Sequence, residues 1–119
     1  MSTRTFRITV RGAFEDLTDA QRAALLADAA EHDVLRAAFT PGGSLTYDIA
    51  ARPAFTFRFS ATGEEEEDIL EATEQAEEAA KAWLTERGYG FKRLRTTAED
   101  LSRAPLGKRR RRTARTSGT

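Results

Sequence analysis

The residues best suited to chemistry in this sequence are two runs of like charge. Lys108 to Arg112 are five consecutive cations, and Arg115 follows them. Such a run neutralises phosphates and releases counterions, so it favours sequence-independent binding of RNA or DNA. Glu64 to Asp68 are five consecutive anions. The predicted nucleic-acid-binding residues are Lys108, Arg109, Arg110, Arg111, Arg112 and Arg115.

The formal net charge of zero is the sum of two unlike parts. Residues 107–119 carry six cations and no acid, whereas residues 1–106 carry 13 basic and 19 acidic groups. An acidic body therefore bears a basic arm, and such asymmetry is typical of an interaction tail. The arm either contacts a polyanion or lies back on Glu64 to Asp68.

The composition excludes several kinds of catalytic site. There is no cysteine, which rules out disulfides, thiolate zinc sites, iron–sulfur clusters and cysteine nucleophiles. The single histidine, His32, has no serine in a recognisable nucleophile motif, and we expect it at the last carbonyls of a helix or in solvent. Adjacent acids on one helical turn diverge, so Glu64 to Asp68 do not predict a metal site. We expect no catalytic residue, metal or cofactor, which favours a non-enzymatic protein.

Length and hydropathy predict one domain. The 119 residues are 39% apolar and 32% charged, with no apolar run of the roughly 18 residues that a membrane span needs. The first residues also lack the apolar segment of a signal peptide. We expect a folded domain over residues 1–106, a flexible basic tail over 107–119, no membrane contact and a cytoplasmic location.

Alternating and helical patterns predict the first elements. Phe6, Ile8 and Val10 alternate with polar residues, as in a half-buried strand. Thr18 and Gln21 have the spacing of a capping box, which predicts a helix from about Asp19 to His32. The apolar residues of that helix at three- and four-residue spacing are Ala23, Leu26, Ala30 and Val34.

The middle of the chain predicts a hairpin followed by a long helix. Leu45, Tyr47 and Ile49 alternate, as do Phe55, Phe57 and Phe59, and Pro41-Gly42-Gly43 favours a turn before them. A short extra strand at residues 36–40 is an alternative. For the second helix we expect Thr62 as a cap, with Glu65 reaching back, and Gly88 as the stop. Its predicted apolar stripe is Ile69, Ala72, Ala76, Ala80, Trp83 and Leu84, and a last strand follows near residues 89–96.

The element order β-α-β-β-α-β predicts a ferredoxin-like α+β sandwich, with a four- or five-stranded antiparallel sheet and two helices on one face. The strand residues above, with Leu26, Val34, Ile69, Trp83 and Leu84, would form the core. Arg7, Arg11 and Arg58, with a member of the Lys92, Arg93 and Arg95 set, would lie on the opposite face. This open face is a candidate anion-binding site. The alternative is a solvated or homodimer-forming face, and the aromatic residues mostly fall on the core side, unlike RNA-stacking sheets.

Several segments together resemble a known family. The runs TFRITVRG, FTPGGSLTYD, ARPAFTFRF, EDILEATEQAEEAAKAWLTERGYGFK and AEDLSRAPLGKRRRR resemble, over nearly the whole chain, small actinobacterial proteins that share a domain of unknown function. The resemblance implies a bacterial cytoplasmic protein. It implies no activity, cofactor or site residue.

The leading expectation is a non-enzymatic cytoplasmic protein whose basic arm contacts nucleic acid, for example ribosomal RNA, independently of sequence. One alternative is a ferredoxin-like dimer that binds a small anionic ligand on its open sheet face. Another is a protein-interaction module that uses the acidic face of the second helix, with the arm as its cover.

Overall fold

The computed structural model describes residues 3–103 and contains four β-strands and two α-helices. The strands are β1 (Arg4–Glu15), β2 (Ser44–Tyr47), β3 (Ala54–Gly63) and β4 (Gly90–Asp100), and the α-helices are α1 (Asp19–Ala27) and α2 (Asp68–Glu86). Short 3₁₀ helices span Ala29–His32, Val34–Arg36 and Leu101–Arg103. Within residues 3–103 no helix is long and apolar enough to cross a membrane.

The four strands form one antiparallel sheet in the order β2-β3-β1-β4. β1 lies in the interior and pairs with β3 on one side and with β4 on the other. The predicted α+β class, with a four-stranded antiparallel sheet and two helices, is confirmed. The predicted extra strand near residues 36–40 is reduced to one isolated bridge between Thr40 and Phe59.

The hydrophobic core lies between one face of the sheet and the helices. Successive strand residues point to opposite faces, so Phe6, Ile8 and Val10 enter the core together and are fully buried. Leu25 of α1 and Leu84 of α2 belong to the same cluster. The other strand side chains of this cluster are Phe14, Leu45, Tyr47, Phe55, Phe57 and Phe59. The alternation predicted from the sequence therefore sets the two faces of the sheet.

The first helix begins as predicted but ends early. Thr18 Oγ1 accepts from the Gln21 amide at 3.1 Å, and Gln21 Oε1 accepts from the Thr18 amide at 3.0 Å, so the capping box is confirmed. The α-helix stops at Ala27, and a 3₁₀ helix follows instead of the predicted continuation to His32.

The early end of α1 changes which of its residues are buried. The predicted core residues Leu26 and Val34 are 46% and 63% exposed, whereas Leu25 is buried. The prediction was wrong because Leu26 and Val34 do not share one continuous helical face. Leu25 instead faces the sheet, where its carbonyl accepts a hydrogen bond from the Tyr47 hydroxyl at 2.6 Å.

The second helix ends as predicted but begins later. Gly88 has a φ of +75°, its amide donates to the Thr85 carbonyl, and the Tyr89 amide donates to the Leu84 carbonyl. These two bonds form a Schellman motif, in which a positive φ favours glycine. The predicted apolar stripe is also confirmed: Ala76, Ala80 and Leu84 are buried, and the other three residues pack partly buried against the core.

Thr62 does not cap α2, so that prediction was wrong. Thr62 lies in β3, and the helix starts at Asp68. The Asp68 carboxylate accepts from the backbone amides of Glu64 and Glu65 at 2.8 and 3.0 Å. These two hydrogen bonds hold the pKa of Asp68 below its ordinary value, and the bond from the Glu65 amide contributes most. Gly63 allows this turn, because a Cβ there would lie 2.6 Å from the Asp68 Cβ.

Candidate anion-binding sheet face

The sheet face opposite the helices carries five basic side chains, and we call it the basic face. Its cations are Arg7 and Arg11 of β1, Arg58 of β3, and Lys92 and Arg95 of β4. The placement follows from strand alternation: because Phe6, Ile8 and Val10 fill the core, the residues between them point away from it.

Strand register brings three arginines together near the middle of the basic face. Arg11 lies directly opposite Arg95 on β4. Arg58 lies opposite Thr9, which makes it a diagonal neighbour of Arg11. Directly opposite side chains start about 5 Å apart and diagonal ones about 7–8 Å apart. The predicted set Arg7, Arg11 and Arg58 thus occupies one face of two adjacent strands, and its anion binding stays a prediction.

The positive charge of the basic face is not neutralised within residues 3–103. Arg11, Lys92 and Arg95 make no ion pair or hydrogen bond there through their side chains. Two strand acids, Glu15 and Glu99, lie on this face, and Glu99 is directly opposite Arg7, but neither acid makes an ion pair with these cations. Five cations against two acids give a net charge of +3. Because like charges directly opposite each other are destabilising, an anion between Arg11 and Arg95 would relieve repulsion.

Neighbouring residues hold two of the five cations in place. Arg58 donates from Nη1 to Thr46 Oγ1 at 2.8 Å, and Thr46 is only 4% exposed. The Arg7 guanidinium lies over the Phe39 ring, 5.0 Å from its centroid. A guanidinium has five N–H donors, so both side chains keep donors for a ligand. Their partial immobilisation lowers the entropy lost on binding.

The aromatic residues of the described chain do not form a base-stacking platform on the basic face. Tyr89 and Phe91, the aromatic residues around the start of the last strand, pack partly buried against the core. Phe39, which sequence reasoning missed because it lies outside the strands, is engaged by Arg7. RNA-binding sheets that read bases expose aromatic rings for stacking. The basic face is therefore suited to phosphate or carboxylate groups and not to stacked bases.

A β-bulge in β4 decides which of the C-terminal cations reach the basic face. Arg11 pairs with Arg95, whereas Ala13 pairs with Lys92, so β4 contributes one extra residue between them. Arg93 adopts a φ of +58° within this segment. A sequence signal existed: the apolar residues Phe91 and Leu94 are three positions apart, an odd spacing that a regular strand places on opposite faces, yet both pack against the core. The bulge keeps Lys92 and Arg95 on the same face.

A cleft of about 560 Å³ adjoins the basic face at the outer edge of β2, and we call it the β2-edge cleft. Both Thr46 and Tyr47 line it, so it spans the two faces of this edge strand. Its remaining polar lining is Arg11, Arg52, Thr56, Arg58, Asp33 and Asp48, and its apolar lining includes Leu26, Val34 and Ile49. Burial chiefly raises the pKa of Tyr47 to about 12, aided by Asp28, Tyr89 and Glu31, so this hydroxyl stays neutral at the cleft.

His32 and Trp83 have structural roles. The His32 ring stacks on Tyr47 at 5.1 Å, and its Nδ1 lies 3.0 Å from the Leu45 carbonyl. A carbonyl only accepts, so Nδ1 carries the donated proton. His32 thus lies against the β2 edge, and neither at the last carbonyls of α1 nor free in solvent, the two positions expected from the sequence. Trp83 packs edge-on against Phe57, as a core residue does.

Within residues 3–103 no group of three acidic, histidine or cysteine side chains could hold a metal.

The other sequence-predicted site lies outside the described residues. It comprises the nucleic-acid-binding residues Lys108, Arg109, Arg110, Arg111, Arg112 and Arg115. The division into a domain over residues 1–106 and a tail over 107–119 stays a prediction for the same reason.

Comparison with known proteins identifies a family but no function. No curated protein and no solved structure matches the chain. A family model described as "Family of unknown function (DUF6204)" matches residues 1–112. This match covers the described fold, the basic face and the whole cationic run Lys108 to Arg112. The chain therefore belongs to the Family of unknown function (DUF6204).

Proposed function

We propose that this protein is a non-enzymatic nucleic-acid-binding protein that contacts phosphate groups with its basic face and with the arm formed by Lys108 to Arg112 and Arg115. The observation that carries the proposal is the placement of Arg11 opposite Arg95, without an ion pair for either within residues 3–103. A phosphodiester between them would accept hydrogen bonds from both guanidinium groups and remove their mutual repulsion.

The fold supports the proposal by separating charge between its two sides. The helix side carries the acids of α2, including Glu71, Glu74 and Glu78, whereas the sheet side has a net charge of +3. Such a distribution orients an approaching polyanion toward the sheet. Without exposed strand aromatics, the contacts are to the backbone of the nucleic acid and carry no base specificity.

We infer in addition that the fold is the ferredoxin-like sandwich. Taken from the β4 edge, the strand order is β4-β1-β3-β2, and each α-helix connects strands that are separated by one other strand. This arrangement supports two interlocked βαβ units. The cytoplasm of an actinobacterium is the proposed setting, which the resemblance to small actinobacterial proteins supports.

A homodimer through the basic face is the weaker alternative. Two copies of a face with net charge +3 repel each other unless an anion lies between them. In such a dimer, Arg11 and Arg95 of one copy would face the cations of the same basic face on the other copy. We therefore favour a polyanionic partner over a second copy of the chain.

Binding of fluorescent single-stranded RNA, followed by anisotropy over a salt series, tests the proposal. The variant Arg11→Gln/Arg95→Gln removes two phosphate contacts, and the slope of log affinity against log salt should fall by about 1.4. The control Lys81→Gln/Arg87→Gln removes the same charge from α2 and its C-cap, on the other side of the sheet, and should leave the slope nearly unchanged.

A third, full-length variant replaces the six arm cations with glutamine. It should weaken binding further and additively, because arm and face contact different phosphates. If the arm variant abolishes binding while the Arg11→Gln/Arg95→Gln variant has no effect, the basic face has no part in the function. Equally weak binding by the wild type and all variants at low salt would contradict the proposal that this protein binds nucleic acid.

A further inference from the structure

We propose that the β2-edge cleft is a binding site for a small organic monocarboxylate with an apolar body. This inference does not depend on nucleic-acid binding. The volume of about 560 Å³ lies within the range of roughly 300–1,000 Å³ that is typical of small-molecule sites. The lining combines apolar walls with a few convergent polar groups, which is also typical of such sites.

The cations of the cleft select the charged end of the ligand. Arg11 and Arg58 both line it, and they are diagonal neighbours on β1 and β3. Arg58 is held by its bond to Thr46, while Arg11 has no side-chain partner within residues 3–103. A planar guanidinium matches the two oxygens of a carboxylate. We therefore place the carboxylate beside these two arginines.

The acids of the cleft limit the ligand to about one negative charge. Asp33 and Asp48 line it together with Arg11, Arg52 and Arg58, so the titratable lining has a net charge of +1. The Asp33 carboxylate already accepts from the Leu35 amide at 2.8 Å, which keeps it in place. A nucleoside triphosphate or an RNA strand would meet these acids, whereas a monoanion is matched. The cleft thus differs in selectivity from the open part of the basic face.

The apolar wall determines the rest of the ligand. Leu26 and Val34 line the cleft and are 46% and 63% exposed, an unusual arrangement for large apolar side chains so close together. The adjoining Leu35 is also exposed. An apolar body in the cleft would remove Leu26 and Val34 from water, which favours binding.

A small molecule fits this edge better than a peptide strand does. Addition of a strand to β2 requires its outward backbone groups, and the Leu45 carbonyl already contacts the His32 ring. The 3₁₀ helix Ala29–His32 therefore covers part of the edge that an added strand would need.

Nuclear magnetic resonance titration of the full-length protein with octanoate tests the site. We expect saturable shifts at the amides of Val34, Thr46 and Thr56, and little change along α2. Octanol, which lacks the charge, and acetate, which lacks the apolar body, should each bind at least about tenfold more weakly. Octanol binding as tight as octanoate, or shifts that do not saturate, would overturn the proposal.

Two variants test whether the cleft itself holds the octanoate. Arg11→Gln should weaken octanoate about tenfold without unfolding the protein, because Arg11 makes no side-chain hydrogen bond or ion pair within residues 3–103. Val34→Ser should weaken octanoate several-fold but leave RNA binding unchanged, whereas the matched control Leu70→Ser on α2 should change neither. Unchanged octanoate affinity in both Arg11→Gln and Val34→Ser would overturn the cleft as the site, whatever the outcome for RNA.

Discussion

Tyr47 shows at the residue scale how burial sets the state of one side chain. Its hydroxyl donates to the Leu25 carbonyl at 2.6 Å, its ring packs on Phe14 and His32, and its pKa is raised to about 12 chiefly by burial. A neutral, fixed hydroxyl joins α1 to the edge strand β2. The position of α1 against the sheet depends on this contact because Leu25 is the one buried residue of that helix.

We predict that the free energy of unfolding falls at high pH because Tyr47 ionises. The pKa in the folded state, about 12, exceeds the ordinary value of 10.0, so the folded state binds this proton more tightly. The stabilisation is complete below pH 10 and is lost as the pH rises from 10 through 12. Tyr47→Phe should flatten the dependence of unfolding free energy on pH in this window. Tyr89→Phe removes only the smaller contribution of Tyr89 to this pKa and should flatten the dependence less, so flattening as large as in Tyr47→Phe would contradict the assignment.

At the scale of elements, β4 departs from regular alternation in a way that serves the basic face. Its bulge opposite Arg11 and Ala13 lets Phe91 and Leu94 both pack on the core. The same bulge turns Lys92 and Arg95 outward. A regular strand with this sequence would have to bury a cation or expose Leu94, and either would be unfavourable. The left-handed conformation of Arg93 is the local strain that accompanies this arrangement.

We predict that Arg93→Gly stabilises the protein. A left-handed φ of +58° is unfavourable for an L-residue by roughly 1–2 kcal/mol, and the added flexibility of unfolded glycine offsets about 0.5–1 kcal/mol. The free energy of unfolding in urea should therefore rise by about 0.5–1 kcal/mol. Arg93→Ala removes the same exposed charge but keeps the strain, so it should show no such gain. Equal effects of the two substitutions would mean that charge, and not backbone strain, governs this position.

At the scale of the whole molecule, opposite charges lie on opposite sides of the sheet. The helix side is acidic, and the sheet side places Arg11 against Arg95 with no ion pair within the described chain. An arrangement that is unfavourable in the free protein becomes favourable when an anion binds. Stability and binding should then respond in opposite directions to loss of one of these charges.

We predict that Arg95→Gln raises the stability of the free protein while it weakens RNA binding. Relief of repulsion across one directly opposed pair should contribute about 0.5 kcal/mol at low ionic strength. The gain should disappear at high salt, because these exposed charges are then screened. Urea unfolding at two salt concentrations measures it. Lys92→Gln is the matched control, since Lys92 lies opposite Ala13 and not opposite a cation; an equal, salt-independent gain there would argue against pairwise repulsion.

Features that depend on neighbours a few residues away were predictable from local sequence patterns. The capping box of Thr18 and Gln21, the stop at Gly88 and the inward parity of Phe6, Ile8 and Val10 all follow from local hydrogen bonds or from strand alternation. For this reason the element order and the placement of Arg7, Arg11 and Arg58 on one face could be read directly from the sequence.

Features that depend on distant parts of the chain became visible only in the folded protein. Leu25 is buried in place of Leu26 because of the way α1 packs against the sheet, where the Leu25 carbonyl also accepts from the hydroxyl of Tyr47, 22 residues away. Arg95 joins the basic face because β4 pairs with β1 through a bulge, and the β2-edge cleft exists because residues 26–34 pack beside β2 and the start of β3. No local pattern specifies these contacts, since each is set by the packing of elements that are far apart in sequence. The alternating arginines of the candidate site are therefore predictable from the sequence, whereas the register that places Arg11 opposite Arg95 is set by the fold.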